Sequence, residues 1–310
     1  MKLQALLVLE SFTLIAATIP PAIHDPVEIQ VKNVNVRLDE EIVLQIRSLR
    51  GQMIATDPNV PVTFDDKNSF VTRIDSGEIA ISAAGLSSLL NKYAFAYPRS
   101  PLKQIVITTK GGRIKQTGTV HKGVDLPFEL EGTLTCTPEG QLRLHAEKFR
   151  SAHLPVKGLL HLFGEDLSKL INLREAHGVK VLGDDIILFP DRIIPPPRIE
   201  GRVVAVRIEG DDIVQVFGSG RAAKPLSPPR EAENYIYHRG GTLRLGRLTM
   251  HDADLEIVDM DSRTPFEFYF ARYNEQLVAG YSKTTRSLGL VVFMPDYSML
   301  HASRASRQRD

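Results

Sequence analysis

Two aspartates near the C-terminal end come nearest in type and spacing to a catalytic metal site. Asp259 and Asp261 stand two residues apart, as the metal-binding carboxylates of some sugar-transfer enzymes do, and His251 lies close by in sequence. Carboxylates and an imidazole can hold a divalent cation if their side chains converge. No glycine-rich phosphate loop accompanies them, so we predict a turn with both aspartates in solvent. A metal-dependent transferase that uses them is kept as the second alternative function.

The sequence lacks the short motifs that mark common catalytic sites. It contains no H-E-x-x-H, G-x-S-x-G, P-loop or G-x-G-x-x-G pattern. Its single cysteine, Cys136, excludes an intramolecular disulfide and a multi-cysteine zinc site, and its place on an apolar strand face is typical of an inert thiol. We therefore predict a protein that is not an enzyme and needs no cofactor.

The composition is that of a globular protein with no strong electric field. Hydrophobic residues make up 43% of the 310 residues, and 38 basic and 37 acidic side chains leave a net charge of +1. This balance gives no basis for binding a polyanion, so we predict no nucleic-acid partner. The length allows one large domain or two of modest size.

The first 25 residues resemble a signal peptide. Met1 and Lys2 precede an apolar run from Leu3 to Ile19, which Glu10 interrupts and which Pro20 and Pro21 end. The unbroken length is shorter than the ~20 residues that a membrane-spanning helix needs. We predict that residues 1–25 are a signal peptide or an N-terminal anchor and that the chain is exported to the periplasm or cell envelope.

Alternation of apolar and polar residues dominates the chain from Pro26 onward and predicts half-buried β-strands. The alternation slips by one residue at Asn33, which predicts a bulge. Turn residues predict three hairpins, at Gly111-Gly112, at Pro138 to Gly140 and at Gly210-Asp211. Most of the protein is therefore expected to be antiparallel sheet.

Two segments change to helical spacing. The first follows Ser82, a suitable N-cap, and its apolar positions recur at helical offsets until Pro98. The second begins near Pro155 and ends near Gly178. Both are predicted to be amphipathic helices, over 82–97 and 155–177.

Five motifs follow one another between Ile81 and about Leu160: I-S-A-A-G-L-S-S-L-L-N, G-G-R-I-K-Q-T-G, L-P-F-E-L-E-G-T-L, P-E-G-Q-L-R-L and P-V-K-G-L-L. Their order resembles that of the LmeA-like phospholipid-binding family, which is similar in architecture to the tubular lipid-binding superfamily. The resemblance implies an α+β fold in which a strongly curved antiparallel sheet wraps two amphipathic helices, with lipid chains between them. The residues it implies for the cavity wall are Leu86, Leu89, Leu90, Tyr93, Leu159, Leu160, Phe163 and Leu167.

The predicted organisation beyond the N-terminus has four parts. Residues 26–218 form the lipid-binding-like α+β domain, and 219–233 form a proline-rich linker. Residues 234–296 add C-terminal strands, expected at 241–250, 255–258, 266–270 and 288–294. The basic segment 297–310 is expected to be a disordered tail.

The predicted function is non-enzymatic binding or transfer of a phospholipid-like lipid in the cell envelope, with possible contact to a membrane surface. The first alternative is a structural or assembly protein of the envelope with a filled core, because amphipathic helices packed on sheets also build ordinary α+β cores. In that alternative the C-terminal region binds an envelope protein.

Overall fold

The structure is a computed structural model that describes residues 25–122, 124–151, 176–218 and 224–300. The described residues form two sheets, one of twelve strands and one of six, with a few short helices. Buried apolar side chains from both sheets belong to one continuous core.

The larger sheet runs in the order β12-β13-β4-β2-β1-β14-β15-β18-β17 and is curled into a half-barrel. Short strands β3, β11 and β16 pair in parallel with β14, β4 and β1. The long neighbouring strands are antiparallel, except that β15 and β18 are parallel. Its strands are β1 Val27–Arg37, β2 Val43–Ala55, β3 Val62–Thr63, β4 Phe70–Ser82, β11 Arg198–Glu200, β12 Val203–Glu209, β13 Asp212–Gly218, β14 Tyr235–Leu245, β15 Leu248–Asp259, β16 Phe266–Tyr269, β17 Tyr281–Thr284 and β18 Leu290–Met294.

The smaller sheet is antiparallel throughout and has the order β5-β6-β7-β8-β10-β9. Two of the predicted hairpins lie here: the turns at Gly111-Gly112 and at Pro138 to Gly140 are confirmed. The third, at Gly210-Asp211, joins β12 and β13 and is also confirmed. The strands of this sheet are β5 Leu102–Lys110, β6 Arg113–Lys122, β7 Val124–Cys136, β8 Leu142–Ser151, β9 Val179–Leu182 and β10 Asp185–Leu188.

Local backbone irregularities curl the larger sheet. The β2–β4 register shifts twice, between Ile46 and Ser48 and between Arg50 and Gly51, and such bulges bend a strand and increase its twist. At Gly77 a Cβ atom would lie 2.7 Å from the Ser48 carbonyl oxygen, so only glycine fits the close approach there. Asn33 has φ 54°, and the alternation of buried side chains along β1 shifts by one residue there, as predicted.

The helices are short. Helix α1 spans Ala83–Leu89 and continues as a π-helical segment over Leu90–Ala94. Ser82 is its N-cap as predicted, because its hydroxyl accepts a hydrogen bond of 3.0 Å from the Gly85 N–H. The others are α2 Pro190–Ile193, a 3₁₀ turn Phe270–Arg272 and α3 Tyr273–Ala279.

The predicted fold class is confirmed in its coarser part, a mostly antiparallel and curved sheet. The second predicted helix lies almost wholly outside the described residues, so a sheet that wraps two helices stays a prediction. The strand predicted over 241–250 is wrong, because Gly246, with φ 57°, turns the chain between β14 and β15. Apolar and polar residues alternate on both sides of Gly246-Arg247, so the segment resembles one long strand in sequence.

The larger sheet uses strands from both sides of the predicted linker 219–233. Strand β1 pairs with β14 from Glu28–Arg239 to Lys32–Tyr235. The division of the chain into the domain 26–218, the linker 219–233 and the C-terminal region 234–296 stays a prediction.

Candidate functional site

The curl of the larger sheet encloses an apolar cavity of about 80 Å³. Its walls come from alternate residues of β1, β2, β4, β14 and β16, because a strand directs every second side chain to the same face. The lining residues are Ile29, Val31, Val36, Leu38, Leu44, Ile46, Leu49, Met53, Phe64, Phe70, Thr72, Pro197, Ile199, Ile236, His238, Phe268 and Phe270. Apart from Thr72 and His238, these side chains are hydrocarbon or thioether.

Phenylalanine rings close part of this cavity. Phe64 stacks on Phe270 with the ring centroids 5.5 Å apart, and Phe70 meets Phe270 edge-on at 6.1 Å. Phe270 itself is only half-buried, as are Val36, Leu38 and Ile199. The cavity therefore has an apolar margin that is partly open, which would let a hydrocarbon pass without crossing a polar ring of residues.

His238 is the one ionisable residue in the cavity wall. It is 0% exposed, and its ring meets Phe64 edge-on at 5.3 Å. Neither ring nitrogen makes a hydrogen bond of normal geometry within the described part of the chain. Burial lowers the pKa of His238 to about 4, while the nearby backbone of Leu255 acts weakly in the opposite direction. The imidazole is therefore neutral at pH 7.

The outer face of the same strands also buries polar side chains, but there they have partners. The Tyr237 hydroxyl donates to Asp254 Oδ1 at 2.9 Å, and Arg239 pairs with Asp254 Oδ2 at 3.2 Å. Burial raises the pKa of Tyr237 to about 12. Glu256 Oε2 accepts from the Arg230 N–H at 2.8 Å, and burial raises the pKa of this carboxyl to about 7.

Residues 224–232, which we call the strap, cross this outer face. The Leu226 N–H donates to Gln30 Oε1 at 2.7 Å, and Gln30 Nε2 donates to the Leu226 carbonyl at 3.3 Å. Arg50 donates to the Lys224 carbonyl at 3.1 Å. A polar cleft lies between the strap and the sheet and includes Tyr237 and Asp254. The described part of the predicted linker is thus bound to the sheet.

The predicted lipid-wall residues of the first helix are not in the wall of this cavity. Leu86, Leu89 and Leu90 are buried in the shared core, and Tyr93 packs partly buried against it. The polar side of the helix joins β5: the Asn91 amide donates to the Ile105 carbonyl at 2.7 Å and accepts from the Ile105 N–H at 3.0 Å.

The remaining predicted wall residues, Leu159, Leu160, Phe163 and Leu167, lie outside the described residues. A lipid space formed with the second helix therefore stays a prediction.

The two candidate metal ligands are held by protein groups. Asp259 accepts hydrogen bonds of 2.8 Å from the Asn234 amide and from the Asp261 N–H, and Asp261 pairs with Arg263 at 2.6 Å. Asp259 is buried, so the prediction that it lies in solvent is wrong; the last residue of β15 remains covered by neighbouring chain. Among the described residues, no three His, Cys, Asp or Glu side chains are grouped to hold a metal.

Sequence reasoning missed His238. Alternate side chains of a strand share a face, so His238 lies on the same face as Ile236, and both are buried. That phase was the available signal. It could not show that the face lines a cavity, because the curl depends on strands distant in sequence.

No family model, curated protein or solved structure matches this chain. Within the described ranges, no helix is long and apolar enough to cross a membrane.

Proposed function

We propose that the protein binds an apolar, lipid-like ligand without catalysing a reaction, and that the cavity in the curled sheet receives the hydrocarbon part. The observation that carries the proposal is the cavity itself, with an apolar wall and a half-buried apolar margin. Ligand pockets are mostly apolar with a few polar groups, and this wall has that composition.

The size of the cavity defines what it accepts in the conformation described. At about 80 Å³ it is roughly half the volume of an engineered cavity of about 150 Å³ that binds benzene. It therefore suits the end of a hydrocarbon chain, and a longer buried portion would require rings such as Phe270 to move. Each methylene removed from water contributes about 0.8 kcal/mol, so even a few carbons give measurable binding.

A phospholipid as the natural ligand and export to the cell envelope remain part of the proposal. Their support is the resemblance to the LmeA-like family and the apolar N-terminal segment. Contact with a membrane surface would bring a lipid chain to the apolar margin at Val36, Leu38 and Ile199.

The packing of α1 favours the second candidate, a structural or assembly protein with a filled core. Leu89 is only 4% exposed within the shared core, as an ordinary core leucine is. The two candidates differ at the cavity, which a filled-core protein does not use for a ligand.

Hexane-dependent thermal unfolding of the full-length, delipidated protein tests the proposal. A ligand that binds only the native state raises the melting temperature. We expect hexane to stabilise the wild type and to lose this effect in Val31→Phe, which fills the cavity. The matched control Val106→Phe adds the same ring at an exposed position of β5 and should retain the effect.

Leu89→Ala distinguishes the cavity from the predicted helix wall. It should lower the free energy of unfolding by about 2–5 kcal/mol, as core truncations do, and leave the stabilisation by hexane in place. A wild type that hexane does not stabilise would contradict the proposed function.

A further inference from the structure

We propose that His238 is the polar anchor of the ligand, so that the cavity selects an apolar molecule with a neutral hydroxyl group at its buried end. This inference rests on the proposed binding of an apolar ligand and names the class of that ligand, which excludes an ordinary phospholipid because its acyl chains end in a methyl group. A hydroxyl is both a donor and an acceptor, which is what a neutral imidazole can match.

His238 has no hydrogen-bond partner of normal geometry among the described residues. Most buried polar side chains are hydrogen-bonded, and a buried polar group without a partner costs about 1–3 kcal/mol. His238 is fully buried and both of its nitrogens lack a hydrogen bond of normal geometry in the described structure. A ligand that supplies the partner would recover this cost.

Water is the alternative hydrogen-bond partner for the His238 imidazole. The cavity volume corresponds to the space of roughly three water molecules in the liquid, but a buried water usually makes two to four hydrogen bonds. Among the described residues, the wall offers only His238 and Thr72 as side chains with polar atoms. One hydroxyl on an apolar body fits this wall better, because its carbons contact the apolar residues.

The cavity wall limits the charge that a ligand can carry. No lining residue other than His238 is ionisable, so nothing in the wall would balance a ligand carboxylate. Burying an unpaired charge costs far more than burying a neutral polar group. The desolvation that keeps the imidazole neutral therefore also disfavours an anionic head, and a carboxylate could enter only by taking up a proton.

The test compares three six-carbon probes, hexane, 1-hexanol and hexanoate, by calorimetric titration of the delipidated full chain at pH 7.5. We expect hexanol to bind about 5- to 10-fold more tightly than hexane, the value of one net hydrogen bond, and hexanoate to bind more weakly than either. His238→Leu should bind hexane still and lose the preference for hexanol. The control His251→Leu removes an exposed histidine of β15 and should retain it.

The outcomes separate the inference from the proposed function. If none of the probes binds to the wild type, the proposed function fails. If hexane and hexanol bind equally, or if the preference survives in His238→Leu, the anchor is overturned while apolar binding stands. Should His238→Leu fail to fold, nitrogen NMR of the wild-type imidazole decides: hexanol must shift the His238 ring nitrogens and hexane must not.

Discussion

Tyr237 and His238 are neighbours on β14, and their side chains are buried on opposite faces of one sheet. The polar group of Tyr237 has a hydrogen-bond partner, whereas that of His238 has none of normal geometry among the described residues. On the outer face, Tyr237 lies beside Asp254, which also receives Arg239. On the inner face, the ring of His238 makes no hydrogen bond of normal geometry among the described residues, and Thr72 is the other polar side chain lining the cavity. Partnered polar groups hold a fold together, whereas a polar group without partners lowers stability until something binds it.

The strap explains why the outer face is a structural region. It covers Glu256 and supplies the Arg230 N–H as a donor, and it exchanges two hydrogen bonds with Gln30. On the inner face, Phe64 and Phe270 close only part of the cavity, and its margin remains half-exposed. We therefore infer that the outer face stabilises the fold and that the inner face binds the ligand.

The largest expected effect is the loss of Asp254. Asp254→Ala removes the acceptor of Tyr237 and the partner of Arg239, and we expect the free energy of unfolding to fall by about 3–5 kcal/mol. Urea unfolding monitored by circular dichroism measures it. Glu139→Ala, an exposed acidic residue in a turn, is the control and should change stability by less than about 0.5 kcal/mol. Equal losses in the two variants would contradict the difference between the faces.

The next effect concerns His238 and pH. Its pKa is about 4 in the folded protein and about 6.5 when unfolded, so only the unfolded chain gains a proton as pH falls from 6.5 to 4. This protonation lowers the free energy of unfolding of the wild type at acidic pH, and His238→Leu removes that loss of stability. Without ligand, we expect the variant to exceed the wild type in stability slightly at pH 7.5 and by about 3 kcal/mol more at pH 4. A stability difference that does not change with pH would show that the imidazole is not buried.

An effect of about the same size tests the outer-face carboxyl that lacks one partner. Glu256 Oε1 is buried without a hydrogen bond among the described residues, and the pKa is raised to about 7. The unfolded state then loses its proton first, so stability falls as pH rises from about 4.5 to 7. Glu256→Gln should match the wild type at pH 4.5 and exceed it by about 3 kcal/mol at pH 8. Guanidinium unfolding at both pH values measures this, and a variant that is weaker at pH 8 would show that the carboxylate is stabilising.

Local features of the fold were predictable from sequence, and features of the site were not. Gly111-Gly112 and the Ser82 cap depend on a few adjacent residues, which is why the hairpin and the helix start agree with expectation. The β1–β14 pairing joins residues about 200 positions apart, and no local pattern specifies it. The cavity at His238 follows from that pairing and from the bulges of β2, so it appears only in three dimensions.

Helix α3 shows the same limit. Its Gln276 is fully buried and accepts from the Tyr269 N–H at 2.9 Å while donating to the carbonyls of Glu267 and Pro295. A glutamine in a short, mostly polar segment predicts exposure, but here it satisfies the ends of neighbouring strands. Tertiary partners, and not its own sequence pattern, fix its position.

Native mass spectrometry of the full-length protein, isolated from cells without detergent, tests directly whether a ligand binds inside the curled sheet. We expect a non-covalent apolar adduct on the wild type and on Val106→Phe, and its loss from Val31→Phe, whose added ring occupies the cavity. Bare protein in the wild type, or an adduct that persists at equal amount in folded Val31→Phe, would contradict ligand binding inside the curled sheet.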